Sequence, residues 1–206
     1  MKNVLKTNNQ INEVLQASDA VLKDLIEHCS HISIPLRTNY YESLVSSIIG
    51  QQLSTRVADI IWNRVLGLLN GVMEPQSMID TEDKALRDAG LSYPKIGYIK
   101  NLSESILNKK IFLRNFEEWT DDEIIKNLTQ VKGIGIWTAE MFLIFSLGRT
   151  DVFSIGDGGL QRVIKSLYKL EENPTKGRLL EISNNWKPYR TFASLYLWEA
   201  INKGLI

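Results

Sequence analysis

The residues of this chain that are best suited to chemistry are two glycines and one aspartate. Gly133 and Gly135 lie in the stretch VKGIGIWTAE, between a polar segment and an apolar one. Glycine accepts positive φ and leaves the outer face of a turn bare, so we expect both glycines to adopt such a turn. The turn would present backbone N–H groups beside a helix N-terminus. That arrangement binds an anion without lysine or arginine.

The aspartate is Asp157, which lies farther along the chain in DVFSIGDGGLQR, at the head of another expected helix. Aspartate is a favoured helix N-cap, and a purely structural role would need nothing more. A helix N-terminus also favours the charged carboxylate, and an anion stabilises positive charge that develops in a reaction. The two roles are compatible, and the residues alone leave both open.

The elements that must position these residues are helices. Helical periodicity dominates and strand-like alternation is scarce, so we expect about ten helices and almost no sheet. The expected helices are 10–29, 39–50, 54–69 after a cap at Ser54, a short segment from Pro75, one from a cap at Thr81 to Ala89, 93–108, 121–128, 136–147, 158–169, 175–184 and 188–202.

Length, charge and cysteine content limit the function classes. The 206 residues are 44% hydrophobic, which is enough for one domain or two small lobes. Lysine plus arginine equals aspartate plus glutamate, 24 each, which argues against a bulk electrostatic nucleic-acid binder. With Cys29 as its only cysteine, the chain has no disulfide framework, no cysteine-rich zinc site and no four-cysteine iron–sulfur cluster. Apolar runs of membrane-span length and a signal-peptide core are absent, so we expect a cytoplasmic protein with no membrane association.

Four motifs, in order along the chain, resemble the helix-hairpin-helix DNA glycosylase superfamily. They are YESLVSSIIGQQLSTRVADII (41–61), GLSYPKIGYIKNLSESI (90–106), the glycine turn with its aspartate stretch (131–162), and WKPYRTFASLYLWE (186–199). The chain is most similar to the bacterial 3-methyladenine DNA glycosylase II branch. The resemblance implies an all-α, two-lobed fold with the active cleft between the lobes. A central lobe, 38–148, would carry a wedge loop and the hairpin, and 1–37 with 149–206 would form a second lobe carrying the catalytic aspartate.

The same resemblance implies a monofunctional glycosylase that flips alkylated purines, such as 3-methyladenine, out of duplex DNA and hydrolyses the N-glycosidic bond, initiating base excision repair. Asp157 would be the catalytic carboxylate, stabilising the sugar cation and activating water. Trp137 stands where relatives that also cut the backbone carry an attacking lysine, which implies hydrolysis without lyase activity.

Resemblance also assigns the base pocket to Trp198, Trp137 and Met141, the last of which replaces a tyrosine found in some members. An indole face attracts a cationic base by roughly 0.5–2 kcal/mol, which would favour alkylated purines. For each tryptophan, simple core packing is the alternative.

The DNA contacts implied by the family lie on two turns. The turn after Gly50 would supply the wedge from Gln51, Gln52 and Leu53, unless it is an ordinary interhelical turn. The hairpin would bind phosphate through Gly133, Ile134, Gly135 and Thr138. Basic and aromatic residues at 93–95 and 98–100 would either touch the DNA backbone or form a solvated helix face.

No cofactor is required by this reading. Family hairpins hold a monovalent cation, Na+ or K+, which here would be bound by the backbone carbonyls of Thr129, Val131 and Ile134. The expected partner is duplex DNA containing alkylated bases, and we expect a monomer.

Two other functions remain open: a superfamily glycosylase for mismatched or oxidised bases, and a non-catalytic DNA-damage-binding module that keeps only the hairpin. A helical protein-interaction module is a more distant alternative.

Overall fold

A computed structural model describes residues 3–29 and 31–205. That part of the chain is built from α-helices, which confirms the expected all-α class, with a single pair of three-residue strands and one 3-10 turn. The helices are α1 (Asn9–Ser18), α2 (Ala20–His28), α3 (Tyr40–Gly50), α4 (Thr55–Leu68), α5 (Pro75–Asp80), α6 (Asp83–Asp88), α7 (Tyr93–Leu107), α8 (Asp121–Leu128), α9 (Ile136–Phe145), α10 (Gly158–Leu167), α11 (Lys176–Asn184) and α12 (Arg190–Asn202). The strands β1 (Val4–Lys6) and β2 (Ser33–Pro35) pair antiparallel, with Leu5 opposite Ile34. Among the described residues, no helix combines the length and apolar character needed to cross a membrane.

The chain divides into two compact units. One comprises Met1–Leu36 with Leu143–Ile206, and the other is Arg37–Phe142. The sequence-based division ends the central lobe at residue 148, after the apolar helix, whereas the packing places that boundary inside α9. Residues 1, 2, 30 and 206 of the expected second lobe lie outside the described part of the chain.

The first unit contains a break that the periodicity did not predict. The expected single helix 10–29 is wrong, because Asp19 adopts an extended conformation (φ −153°) and separates α1 from α2. Its carboxylate accepts hydrogen bonds from the N–H groups of Val21 and Leu22, at 2.9 and 3.2 Å. Aspartate competes for backbone donors in this way and therefore favours caps over helix interiors. Each half still buries its own apolar face.

The same unit is centred on α12, which is buried over most of its circumference. An element of this kind forms a core rather than a solvent-facing layer. It packs against α10 and α2, and Trp186, just before it, is fully buried. The helix that begins after Asp157 therefore lies directly on this core.

The second unit packs α3 to α8 and the first part of α9. α7 is central to it, with Ile96, Ile99 and Leu102 buried. Thr120 and Glu123 form a reciprocal capping box at the start of α8, which explains why this helix begins where the sequence predicts. The expected cap at Thr81 is wrong: its hydroxyl donates to the Ser77 carbonyl at 2.7 Å and closes α5 instead.

Candidate active site

Asp157 is an N-cap and also belongs to a small cluster of side chains. Its Oδ1 accepts a hydrogen bond from the N–H of Leu160 at 2.8 Å, in the first turn of α10. The indole Nε1 of Trp198 donates to the same oxygen at 3.4 Å. The residue retains 9% of its accessible surface. The structural role is therefore real, and it orients the carboxylate rather than hiding it completely.

Trp198 has an aromatic neighbour that the sequence did not single out. The ring of Phe145 lies 6.0 Å from the Trp198 ring, centroid to centroid, with the planes tilted by 31°. Both side chains line a cavity of about 550 Å³, together with Leu195 and Glu199. The indole thus has its N–H edge on the carboxylate and borders open space. The sequence could have indicated Phe145, because it lies four residues after Met141 and eight after Trp137, on the same face of α9.

Trp137 and Met141 differ in exposure. Trp137 is 44% exposed at the start of α9, which argues against a role confined to core packing. Met141, one turn later, is buried at 9%. The structure thus groups Asp157, Trp198 and Phe145 in one unit, and assigns the other two side chains to the unit that holds the hairpin and the wedge turn.

The hairpin turn needs its two glycines for different reasons. Gly133 has φ +102°, and a Cβ there would lie 2.3 Å from Cγ of Tyr98, so neither the backbone nor the space permits a side chain. Gly135 is exposed, with no atom within 4 Å of a Cβ position. The expected positive φ at Gly135 is wrong, because that residue has ordinary backbone and leaves the turn surface open.

Two other expected phosphate ligands are partly used by the fold. The N–H of Ile134 donates to the Val131 carbonyl at 3.0 Å, within the turn. The side chain of Thr138 is buried, at 4% exposure. The open surface at this turn is therefore at Gly135 and Ile136, where Ile136 is 62% exposed at the N-terminus of α9.

The wedge turn separates its three expected residues. Gln51 is half-buried, and its Nε2 donates to the Gly133 carbonyl at 2.9 Å, so this side chain is fastened to the hairpin. Gln52 adopts the left-handed region (φ +59°) and is exposed, and Leu53 is 38% exposed. Only the latter two extend from the turn.

The carbonyls expected to hold a cation lie where α8 ends and the hairpin turn begins. Thr129 is the C-cap of α8, and a helix C-terminus leaves carbonyl oxygens without intrahelical partners. Uncharged carbonyl oxygens of this kind suit alkali cations. Within the described residues, no group of three or more histidine, cysteine, aspartate or glutamate side chains could hold a metal ion.

Lys95 and Lys100 of α7 do not form a solvated helix face, which was one of the two interpretations offered for residues 93–95 and 98–100. Lys95 donates to the carbonyls of Ile49 and Gln51, and Lys100 donates to the Thr81 carbonyl at 2.8 Å. Desolvation lowers the pKa of Lys95. These ammonium groups bind the protein's own backbone, which no local pattern could reveal.

Known proteins match the chain over most of its length. A family model for HhH-GPD superfamily base excision DNA repair proteins matches residues 45–188. A putative DNA-3-methyladenine glycosylase of Bacillus subtilis is 32% identical over 98% of this chain and 73% of its own length. DNA-3-methyladenine glycosylase 1 of Schizosaccharomyces pombe is 36% identical, over 77% of this chain and 71% of its own.

Solved structures of DNA glycosylases also superpose on this chain over most of its length. A DNA-3-methyladenine glycosidase from Bacillus halodurans superposes with a TM-score of 0.85 at 41% identity, covering 96% of this chain and 92% of the other. The S. pombe 3-methyladenine DNA glycosylase in complex with abasic DNA gives a TM-score of 0.79 at 32% identity, covering 93% and 96%. The extent of these matches confirms the resemblance seen in the four sequence motifs. The chain belongs to the HhH-GPD superfamily of base excision DNA repair proteins.

Proposed function

We propose that this chain is a DNA glycosylase that hydrolyses the N-glycosidic bond of 3-methyladenine and related alkylated purines in duplex DNA. The observation that carries the proposal is the carboxylate of Asp157, oriented by the Leu160 N–H and by the indole N–H of Trp198, whose side chain also lines a cavity. The substrate class is supported by relatives named as DNA-3-methyladenine glycosylases at 32% and 36% identity.

The proposed reaction breaks the bond between C1′ of the sugar and the purine nitrogen. The bonding electrons go to the base, and an N-alkylated purine is already cationic, so it leaves as a neutral molecule without a general acid. Positive charge develops on the sugar, and the Asp157 carboxylate stabilises it electrostatically. Water then forms a bond to C1′ and gives up a proton to the carboxylate. The products are the free base and an abasic site.

Base selection rests on the aromatic side chains. The face of Trp198 would attract the cationic base, while its N–H edge holds the carboxylate. Trp137 and Met141 are the other proposed pocket residues. Because Trp137 carries no amine that could attack the sugar, the proposed enzyme uses water alone and does not cut the strand.

The hairpin and the wedge turn would handle the strand. The exposed backbone at Gly135, at the N-terminus of α9, is the proposed phosphate anchor. Gln52 or Leu53 would fill the space in the stack when the nucleotide rotates out, a step that costs a few kcal/mol.

Two further parts of the proposal concern partners. A Na+ or K+ bound by the carbonyls of Thr129, Val131 and Ile134 would bring positive charge to the phosphate anchor, and exchanging K+ for a bulky organic cation at constant ionic strength would then weaken DNA affinity. The protein would act as a monomer, which sedimentation velocity measures directly.

The decisive experiment is Asp157→Asn. Asparagine caps a helix about as well as aspartate, so its side-chain oxygen can still accept from Leu160 and the fold should persist. Release of 3-methyladenine from methylated duplex DNA should fall by roughly 100- to 10,000-fold, with the melting temperature nearly unchanged. Release at close to the wild-type rate would show that another group carries the chemistry.

The substrate class is tested by duplexes carrying alkylated purines, 8-oxoguanine or a mismatch. We expect release of the alkylated purines only. A preference for oxidised or mismatched bases would assign the chain to another branch of the superfamily, and DNA binding without any abasic site would make it a non-catalytic module.

Hydrolysis without lyase activity is tested by borohydride trapping on the same methylated duplex. A lyase forms a Schiff base between an amine and the sugar, which borohydride reduces to a stable protein–DNA adduct. We expect abasic sites and no adduct. A trapped covalent complex would contradict the proposal.

A further inference from the structure

The half-buried side chain of Lys95 binds backbone carbonyls at the end of α3. Its Nζ donates to the carbonyls of Ile49 and Gln51, each at 2.7 Å. These carbonyls lie at the C-terminal end of α3, where unpaired backbone oxygens carry partial negative charge and favour a cation. Burial lowers the pKa of Lys95. Backbone oxygens at the start of the wedge turn have therefore replaced part of the water around the ammonium group.

The residues next to that contact are the ones that extend from the turn. Gln51 is the C-cap of α3, Gln52 follows in the left-handed region with φ +59°, and the N–H of Leu53 donates back to the Gly50 carbonyl at 3.1 Å. In a tight turn closed by such a hydrogen bond, the backbone of each residue restricts where the next one can lie. Fixing the Gln51 carbonyl therefore fixes where Gln52 and Leu53 extend.

Gln51 contacts both Lys95 and the hairpin. Its main-chain carbonyl accepts from Lys95, and its side-chain amide donates to the Gly133 carbonyl at 2.9 Å. One helical turn after Lys95, Tyr98 packs under the same glycine, at a place where a Cβ would be only 2.3 Å away. α7 thus contacts the wedge turn through one side chain and the hairpin through another.

We propose that Lys95 is a positioning residue that couples the wedge turn to the hairpin, so that strand binding and nucleotide rotation occur as one step. This inference rests on the proposed function. The hydrogen bonds of Lys95 go to backbone carbonyls at the wedge turn, so removing its ammonium group should impair rotation and leave bond cleavage intact.

The test compares Lys95→Met with the wild type on two substrates. One is an alkylated purine paired in a duplex, and the other is the same purine in a mismatch or a single strand, where rotation is easiest. We expect base release to fall roughly tenfold or more on the paired substrate and to change little on the unpaired one. A purely structural defect would lower both equally, and that result, or no loss on either substrate, would overturn the proposal.

Lys100→Met is the matched control. Lys100 lies on the same helix and also donates to a backbone carbonyl, that of Thr81, while forming an ion pair with Asp83 at 2.5 Å. It contacts neither turn, so its loss should leave both substrates processed at the wild-type rate. A paired-substrate defect equal to that of Lys95→Met would show that the effect is not specific to the wedge contact.

Gln51→Met tests the second link independently, because it removes the amide that donates to Gly133 and keeps the side-chain length. If the link acts with Lys95, the double variant should lose no more than the larger single loss, whereas independent losses would multiply. Rotation can also be followed by 2-aminopurine fluorescence in an abasic-analogue duplex. That signal should fall in both variants even if the wild type releases no alkylated base, so failure of the proposed function and failure of the coupling give different results.

Discussion

At the scale of single residues, the contact between Asp157 and Trp198 depends on the missing side chain of Gly159. Gly159 has no left-handed backbone, so its conformation does not require glycine. A Cβ at this position would lie 3.0 Å from Oδ1 of Asp157, 3.4 Å from Ile201 and 3.8 Å from Nε1 of Trp198. The missing side chain therefore leaves room for the contact between the carboxylate and the indole.

Gly159→Ala should accordingly separate activity from stability. Alanine is the better helix former by up to about 1 kcal/mol, and a weakened cap at Asp157 costs up to about as much, so the free energy of unfolding should change little. Base release should fall roughly tenfold, because the methyl group displaces the carboxylate or the indole by a few tenths of an ångström. Urea unfolding and single-turnover kinetics measure the two effects.

Gly158→Ala provides the comparison for that variant. A Cβ at residue 158 would meet only the end of the flexible Arg162 side chain, at 3.4 Å. Both substitutions lie in the first turn of α10, so any general effect on the helix is shared. Equal activity losses in the two variants would mean that Gly159 has no special place beside Asp157.

At the scale of elements, Asp19 connects α2 to segments far along the chain. Beyond capping α2, its Oδ2 accepts a hydrogen bond from the Tyr168 hydroxyl at 2.5 Å and another from the Trp186 indole at 2.9 Å. Tyr168 is the C-cap of α10, and Trp186 lies in the turn before α12. Burial and the neighbouring carboxylate raise the pKa of Tyr168, which keeps its hydroxyl a donor. One side chain thus links α2 to the end of α10 and to the turn before α12, the two helices that supply the Leu160 and Trp198 partners of Asp157.

Asp19→Ala should therefore destabilise the protein by more than a lost cap. It removes two cap bonds and leaves the Tyr168 and Trp186 donors unpaired, so we expect about 2–4 kcal/mol from urea unfolding. Asn8→Ala removes a cap on α1 that makes one bond, to the Ile11 N–H at 2.9 Å, and should cost about 1 kcal/mol. Similar losses for the two variants would show that the Oδ2 bonds contribute no net stability.

At the scale of the whole molecule, the balance of charge limits how DNA can be held. Lysine plus arginine and aspartate plus glutamate both number 24, so the net charge is zero. Two lysines of α7 are also occupied with backbone carbonyls. The proposed grip through main-chain N–H groups is consistent with this composition, because such groups bind phosphate without a net positive surface.

The salt dependence of DNA binding should therefore be shallow. Each phosphate neutralised by a side-chain cation adds about 0.9 to the slope of log K against log salt, and we expect a slope smaller in magnitude than about 4. Anisotropy titrations of an abasic-analogue duplex at several salt concentrations measure it. A slope of about 7 or more would show that cationic side chains, and not the backbone, dominate the grip.

By itself the sequence determined the features that depend on neighbouring residues. The period of the apolar residues located most helices, and α8 has the predicted bounds because its capping box lies within four consecutive residues. The glycine at 133 and the N-cap at Asp157 were predictable for the same reason, since left-handed backbone and capping are properties of a short stretch.

Only the tertiary structure decided which distant groups meet. The break at Asp19 is held by Tyr168 and Trp186, far along the chain, and helical periodicity cannot register such partners. Likewise Lys95 reads as a surface lysine until α3 brings its carbonyls within 2.7 Å, and Gly159 reads as a weak helix residue until Trp198 lies beside Asp157. These contacts join segments whose proximity is set by packing of the whole core, so the physical information that specifies them is not local.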